Sequence, residues 1–379
     1  MNFLTDVRLA DSKKKLVSNS YLRNAWYVAA WSSDLGDGAI LARTILHEPV
    51  VFYRRANGEI SALADRCAHR FAPLSMGKIV GGDRLQCPYH GLEYDASGAC
   101  VLNPHGNKHI PSRARVKAYA VREKHKAIWI WMGDDAPDPS KVPNFSVLDN
   151  PPKLDATKFD GFTVKANVEL LIDNLLDLSH TSYLHAGILG NDETVEADID
   201  VERDGDDVIV SRYARSADPP GLNKMMWPDA PAKIDQFTRI RWMPPSTLLL
   251  VSGICPPGAP KEQGGSGLYA IHMLTPETDR TTHYFFTAVR FGVYTKGDDL
   301  NRQIQEKIAA TRRFAFEKQD APVIEAQQRS IDSAHTDLDP VMLAIDAGPQ
   351  SYKQVLNRLI RAEQTERPHL APMGEEESN

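Results

Sequence analysis

The first third of the chain alternates short apolar runs with turn residues. The runs PVVFYRR, EISALAD, AYAVRE and AIWIWMG have the length and composition of β-strands. Hairpin-turn sequences occur between such runs, NGE at 57–59 and DASG at 95–98. The pattern predicts a compact β domain over residues 22–135, and the stretch 134–145, rich in Pro and Asp, marks its boundary.

The rest of the chain combines long strands with helices. Residues 200–295 contain five longer apolar or alternating runs bounded by Gly and Pro, which predict a curved antiparallel sheet. Helical spacing appears at 166–187, at 302–330 and in a terminal helix at 348–364. We expect the sheet to wrap over the first two of these helices and to enclose an apolar pocket.

Composition excludes several classes of function. The 379 residues carry a formal net charge of -6, which argues against nucleic acid as the main partner. No apolar run approaches the roughly 18 residues of a membrane-spanning helix, and the charged N-terminal stretch does not resemble a signal peptide. Only four cysteines occur, which makes a disulfide framework improbable and predicts a reducing, cytoplasmic location.

Candidate metal ligands form two mixed pairs. The first pair, Cys67 and His69, has the spacing C-x-H. Seventeen residues separate it from the second pair, Cys87 and His90, which has the spacing C-x-x-H. Zinc fingers usually pair like ligands, whereas a Rieske [2Fe–2S] cluster holds one iron by two Cys and the other by two His. The spacing, with turn residues on both sides, therefore favours a Rieske cluster over a zinc knuckle or four unrelated buried residues.

The stretch CAHRFAPLSMGKIVGGDRLQCPYHGLEYD resembles the Rieske motif of the Rieske non-haem iron oxygenases. Respiratory Rieske proteins carry further cysteines within their ligand loops, whereas this chain has Arg70 and Tyr89 there. The resemblance therefore favours the oxygenase branch. Cys100 and Cys255 lie outside both loops, and we interpret them as buried thiols.

This resemblance implies an α+β fold with two domains. An all-β Rieske [2Fe–2S] domain, residues 22–135, would precede a helix-grip (START-like) catalytic domain, residues 136–364. Residues 1–21 would form an N-terminal extension. Residues 365–379 are predicted to be a disordered tail.

A second candidate site lies in ANVELLIDNLLDLSHTSYLHAG, residues 166–187. On a regular helix His185 would lie about 140° around from His180, so both reach one metal only if the helix ends or bulges between them. The glycines that follow His185 predict such an end. On spacing alone, hydrogen-bonded structural histidines are the better interpretation. DNLLDLSHTSYLH, however, resembles the segment whose two histidines bind the catalytic iron of the family, which implies His180 and His185.

Such an iron needs a carboxylate to complete its face of two histidines and one acid. The chain offers many acids, and their chemistry does not choose among them. KQDAPVIEAQQ resembles the carboxylate-bearing segment of the family, which implies Asp320 as the third ligand. Glu317 and Glu325 are the competitors, and without the resemblance Asp320 would be interpreted as a solvated acid before a proline kink.

The resemblance assigns Asp177 to electron transfer rather than to metal binding. In the family the corresponding acid bridges a cluster histidine of one subunit and an iron-bound histidine of its neighbour, within a homotrimer. A carboxylate between two imidazoles can orient both rings. Asn174 would share this bridging network. The alternative is that Asp177 is a surface acid paired with a lysine.

His272 is the candidate substrate-binding residue. It lies among apolar residues of a predicted strand and neighbours the strand that carries His283. It could face the pocket and bind a substrate carboxylate or phenol. A hydrogen-bonded core histidine is the commoner situation.

The resemblance covers nearly the whole chain and is nearest to the aromatic O-demethylases, the subgroup of vanillate O-demethylase and dicamba monooxygenase. NAWYVAAW, LTPETDRTTHYFF and IDAGPQSYKQVL carry it. It implies a terminal oxygenase that receives electrons from a ferredoxin or flavin reductase using NAD(P)H. With O2, the enzyme would hydroxylate the methoxy carbon of an aromatic acid and release formaldehyde.

Three alternatives remain open on sequence. The first is ring hydroxylation or N-demethylation by the same class of enzyme. The second is an electron-transfer Rieske protein without an oxygenase site, and the third is a non-catalytic ligand-binding protein of the helix-grip type.

Overall fold

The structure is a computed structural model. It describes residues 20–149, 156–190, 192–259, 265–292 and 295–366. The ends of the chain at 1–19 and 367–379, which hold most of the predicted extension and tail, lie outside the described residues.

The N-terminal domain is built from β-strands, as the sequence predicts. The strands are β1 (Trp26–Trp31), β2 (Ile40–Ile45), β3 (Glu48–Arg54), β4 (Ile60–Ala64), β5 (Lys78–Val80), β6 (Arg84–Gln86), β7 (Glu93–Tyr94), β8 (Cys100–Leu102), β9 (Ala118–Tyr119), β10 (Val121–Lys124) and β11 (Ala127–Trp131). They form three sheets with the orders β1-β11-β10, β2-β3-β4-β9 and β5-β6-β7-β8. Both predicted hairpin turns are present, because Gly58 and Gly98 adopt positive φ angles of 84° and 79° between paired strands.

The second domain contains a seven-stranded antiparallel sheet. Its strands are β12 (Asp160–Val164), β13 (Asp198–Asp204), β14 (Asp207–Ala217), β15 (Ile234–Met243), β16 (Thr247–Cys255), β17 (Ser266–Thr278) and β18 (Thr281–Phe291). The order is β12-β18-β17-β16-β15-β14-β13. The five predicted strands are β14 to β18. The sequence pattern missed β12 and β13, which are the two edge strands and alternate less clearly between buried and exposed side chains.

The helices pack against this sheet. They are α1 (Val168–Leu176), α2 (Asp192–Val195), α3 (Gly221–Met226), α4 (Asp298–Phe314), α5 (Ala321–Asp332) and α6 (Ala347–Glu366). Apolar residues of α1, α5 and α6 form one buried cluster with β14, β15 and β18. The predicted terminal helix is therefore confirmed as α6, and it continues two residues into the predicted tail.

The prediction that the first helix extends to the region of Gly187 is wrong. Asn167 caps the start of α1 by accepting a hydrogen bond from the Glu169 amide, and the helix ends at Leu176. Asp177 leaves the helical region and accepts a hydrogen bond from the Ser179 amide at 2.9 Å. This local side-chain turn competes with the next turn of helix, so the histidines follow on a loop.

The second predicted helical segment is interrupted by a π-helical turn. Residues Ala315–Asp320 form this turn between α4 and α5 without a break in the chain of helical residues. Pro322 lacks an amide hydrogen and its ring crowds the preceding turn, which accounts for the wider turn before it. The turn places Asp320, which is 4% exposed, on the inner side of the helix.

The two domains share a hydrophobic core. Trp26 of β1 and Trp129 of β11 pack in one buried cluster with Ile271 and Met273 of β17. The Thr275 hydroxyl also donates to the Val28 carbonyl at 2.7 Å. The domains are therefore joined over a broad apolar contact. None of the helices in the described part of the chain is long and apolar enough to cross a membrane.

Candidate metal centre and its cavity

Three predicted iron ligands come together at one point of the second domain. One side-chain ligand atom from each of His180, His185 and Asp320 lies within 4.8 Å of the other two. The distances from Asp320 Oδ1 to the Nε2 atoms are 3.7 Å for His180 and 3.2 Å for His185. The loop after α1 and the π-helical turn thus bring distant parts of the chain together.

Hydrogen bonds orient both imidazoles toward the carboxylate. Nδ1 of His180 donates to the Asp177 backbone carbonyl, and Nδ1 of His185 donates to Gln319 Oε1 at 2.9 Å. Gln319 Nε2 donates to the Leu184 carbonyl at 2.9 Å, which leaves its oxygen for His185. With protons on Nδ1, the Nε2 lone pairs face Asp320 and are free to bind a metal.

Charge in this site favours a bound cation. Burial lowers the pKa of His180, which keeps that ring in the neutral form that binds metals. Burial also opposes the charged form of His185, but the hydrogen bond and charge of Asp320 outweigh it and raise the pKa. A divalent cation would take the place of the proton that His185 and Asp320 otherwise share.

The donor set fits a mononuclear Fe(II) site. Two imidazoles and one carboxylate leave open positions for O2 in non-haem iron enzymes. Glu317 is a competitor on sequence, but it pairs with Arg313 and Lys318 instead. The other competitor, Glu325, accepts from the Lys165 amide at 3.0 Å. Among the described residues neither acid joins the three-residue group.

Asn174 and Asp177 lie beside this group in different ways. The Asn174 amide donates to Asp320 Oδ1 at 3.2 Å. The Asp177 carboxylate accepts from the Ser179 backbone amide and hydroxyl. Within the chain, Asn174 thus contacts the carboxylate of the group, while Asp177 contacts His180 through its backbone carbonyl.

The four predicted cluster ligands lie on two loops of the N-terminal domain. Cys67 and His69 follow β4, and Cys87 and His90 follow β6. Both thiols are buried, whereas the His69 side chain is exposed. The two imidazole rings are 4.6 Å apart between centroids. The thiols therefore lie on the protein side of the loops and the imidazoles at the surface.

This arrangement fits a two-iron cluster better than a single zinc ion. The two buried thiols and the two neighbouring imidazoles form separate pairs, which is the division of ligands between the two irons of a Rieske cluster. Tyr94, which the sequence reading missed, places its hydroxyl 3.2 Å from Cys67 Sγ.

A cavity of about 120 Å³ adjoins the three-residue metal group. Its volume is on the scale of one aromatic ring. Most of the wall area is apolar, and Leu175, Leu178, Leu222, Leu250, Ala270 and Phe316 contribute to it. Besides the metal group, the buried polar residues of the wall include Arg212, Asn223, Gln236, His272 and Arg312.

His272 lines this cavity, as the sequence suggested. It is 2% exposed, and its Nδ1 lies 2.7 Å from the Tyr284 hydroxyl. Burial lowers the pKa of His272 well below its usual value, so the ring is neutral. Its Nε2 atom is buried and has no hydrogen-bond partner among the described residues. The ring therefore has one satisfied nitrogen and one that a bound molecule can use.

Two supporting residues could not be identified from the sequence. Arg212 donates to the Leu178 carbonyl at 2.5 Å and to the Ser182 hydroxyl at 3.1 Å, which holds the loop that carries His180. Gln319 holds His185 in place by a hydrogen bond. Arginine and glutamine are common on any strand or helix, so no local pattern identifies these two residues.

Replacing Gln319 by alanine should weaken Fe(II) binding by about 10- to 100-fold, because outer partners orient metal-bound imidazoles. Iron titration of the metal-free protein would measure the change. Gln327→Ala is the matched control, since Gln327 is exposed on α5. Equal iron affinity in the Gln319 variant and wild type would contradict this role.

Comparisons with known proteins match a family to each of the two domains. The chain matches the Rieske [2Fe-2S] domain over residues 25–120 and the vanillate O-demethylase oxygenase C-terminal domain over residues 164–362. It is 34% identical over 360 residues to the oxygenase component of dicamba O-demethylase from Stenotrophomonas maltophilia, with 91% of this chain and 99% of the relative covered. It is 33% identical over 356 residues to the vanillate O-demethylase oxygenase subunit of a Pseudomonas species, with 90% and 96% covered.

Solved structures of dicamba monooxygenase are similar to this chain over most of its length. Dicamba monooxygenase bound to 3,6 dichlorosalicylic acid superposes with a TM-score of 0.83 at 35% identity, covering 91% of this chain and 99% of that one. The same monooxygenase with non-haem iron and dicamba superposes with a TM-score of 0.75 at 34% identity, covering 92% and 100%.

Proposed function

Because this chain belongs to the Rieske oxygenases whose catalytic domain is that of the vanillate O-demethylases, we propose that it O-demethylates a methoxylated aromatic acid. The observation that carries the proposal is the convergence of His180, His185 and Asp320 beside a ring-sized, largely apolar cavity. The enzyme class is that of an oxidoreductase with a [2Fe–2S] cluster and a mononuclear non-haem iron.

We assign the ligands as the geometry suggests. Cys67, His69, Cys87 and His90 would hold the cluster. His180, His185 and Asp320 would hold the mononuclear iron, which supplies the site where O2 is reduced. The protein positions these ligands through Gln319 and the loop of Arg212, and its apolar cavity keeps water from the reacting carbon.

The overall chemistry balances with two electrons. One oxygen atom of O2 enters the methoxy carbon and the other leaves as water, with two electrons and two protons consumed. The resulting hemiacetal breaks its bond between carbon and phenolic oxygen, which releases formaldehyde and a phenol. The electrons would come one at a time from a ferredoxin or flavin reductase that oxidises NAD(P)H.

We further propose that a homotrimer brings the cluster of one subunit to the iron of its neighbour, with Asp177 between them. Large apolar side chains are exposed near both metal sites that this contact would bring together. Phe71 and Tyr89 on the cluster loops are 74% and 61% exposed, and Tyr183 near His180 is 75% exposed. The proposed contact between subunits would cover these side chains. A cytoplasmic location is consistent with four free cysteines.

A single-turnover assay tests the proposed reaction without the unidentified reductase. Protein reduced with dithionite, freed of excess reductant and given O2 should convert at least one acid from a panel of methoxybenzoates. We expect formaldehyde and the corresponding phenol in equal amounts. If the product is a hydroxylated ring that retains its methoxy group, the reaction is ring hydroxylation and the proposal is wrong. If the protein demethylates only N-methyl compounds, the reaction is N-demethylation instead.

A further inference from the structure

Arg312 is a buried cation whose guanidinium forms no ion pair among the described residues. Its side chain lines the cavity, and the residue is only 6% exposed. Asp160 favours the charged form of Arg312 from a distance but pairs with Arg313, and the buried Nη2 atom of Arg312 has no hydrogen-bond partner among the described residues. Burial lowers the pKa of Arg312 to about 10, so the group stays charged at neutral pH.

The other buried arginines of this domain form several hydrogen bonds with their surroundings. Arg212 donates to a backbone carbonyl and two hydroxyl groups of the loop that carries His180, and only its Nε atom has no partner among the described residues. Arg290 donates to Asn301 and Thr295. Arg312 instead lies 5.5 Å from the ring centres of Phe286 and Phe316, which provide aromatic faces but no anion. An isolated buried charge destabilises a fold unless a bound group compensates it.

Arg312 also lies in line with the metal group. Arg312, Phe316 and Asp320 occur at intervals of four residues along one helix that includes the π-helical turn. Eight helical residues rise about 12 Å, and all three residues line the cavity. His272, whose ring lies 5.5 Å from that of Phe316, contributes a second unpartnered nitrogen near the middle of this span.

We propose that Arg312 is the specificity residue of the cavity and binds the carboxylate or sulfonate of an aromatic substrate. The neutral His272 donates or accepts a hydrogen bond beside it, and the ring rests against Phe316. The substituent to be oxidised then points along the helix toward Asp320. This inference rests on the proposed function for the reaction, and it attributes the preference for an anion to the charge of Arg312.

Calorimetric titration of the purified protein with 3-methoxybenzoate and with its methyl ester tests the proposal without turnover. Wild type should bind the acid and bind the ester on the order of 10- to 100-fold more weakly, because the ester cannot form the charge-assisted contact. Arg312→Met should lose that preference, and Arg312→Lys should keep part of it. Arg302→Gln removes the same charge from an exposed position of α4 and should bind as wild type does.

The stability of the ligand-free protein gives a second measurement. Arg312→Met should melt at a higher temperature than wild type, because it removes an uncompensated buried charge. Equal binding of acid and ester by wild type, unchanged acid binding in Arg312→Met, or no binding of any methoxybenzoate at millimolar concentration would overturn the proposal. If formaldehyde forms only from neutral methoxy compounds, O-demethylation stands as the reaction, but the anion site and the aromatic acid as substrate are refuted.

Discussion

Replacing His180, His185 or Asp320 by alanine should remove the mononuclear iron and lower turnover on the order of 1000-fold or more, because the metal supplies several kcal/mol of transition-state stabilisation. Each residue provides one of the three side-chain ligands of a compact group. The cluster ligands lie on separate loops of the other domain. Iron content should therefore fall to that of the cluster alone, while the electron paramagnetic resonance signal of the reduced cluster persists.

Two acids provide the controls for the carboxylate assignment. Glu317→Ala removes a surface acid that pairs with Arg313 and Lys318, and Glu325→Ala removes the acid that accepts from the Lys165 amide. Both variants should retain iron and turnover. If Asp320→Ala keeps its iron and either glutamate variant loses it, the third ligand is not Asp320.

Asp177→Asn should slow reoxidation of the reduced cluster by on the order of 100-fold in a single turnover with substrate and O2, while both iron sites remain filled. The substitution changes little within the chain. Asparagine keeps an oxygen that can accept from Ser179, and the backbone carbonyl that accepts from His180 is unaffected. What it removes is the negative charge proposed to hold two imidazoles across the subunit boundary.

The charge-matched control is Asp198→Asn, on the exposed start of β13. This variant should reoxidise at the wild-type rate. Stopped-flow absorbance follows the cluster, and quenched samples measure the product. Reoxidation of the Asp177 variant at the wild-type rate with full product formation would show that Asp177 is a structural acid only.

Patterns of neighbouring residues predicted much of the architecture. The spacing of Cys67, His69, Cys87 and His90 indicated a two-iron cluster, since ligand type and loop length are local properties. The alternation of side chains identified β14 to β18, because each of these strands buries one or both faces. The same patterns did not identify the edge strands β12 and β13, because few of their side chains are buried.

The end of α1 shows where a local pattern misleads. The helical spacing of residues 166–187 continues past Leu176, and the helix does not. Hydrogen bonds from the amide and hydroxyl of Ser179 to the Asp177 carboxylate stabilise a turn instead. The two histidines therefore lie on a loop, where a spacing of five residues allows both to reach one point.

The sequence by itself determined the types of ligand, the helix and strand periods and the two-domain order, because these depend on residues close together in the chain. Only the tertiary structure decided which acid joins the histidines. It also decided which nitrogen of each imidazole is free, and that Arg312 is buried with an Nη2 atom that no described residue contacts by a hydrogen bond. Those properties depend on contacts between residues far apart in sequence and on the burial that removes water, and neither leaves a signal in local spacing.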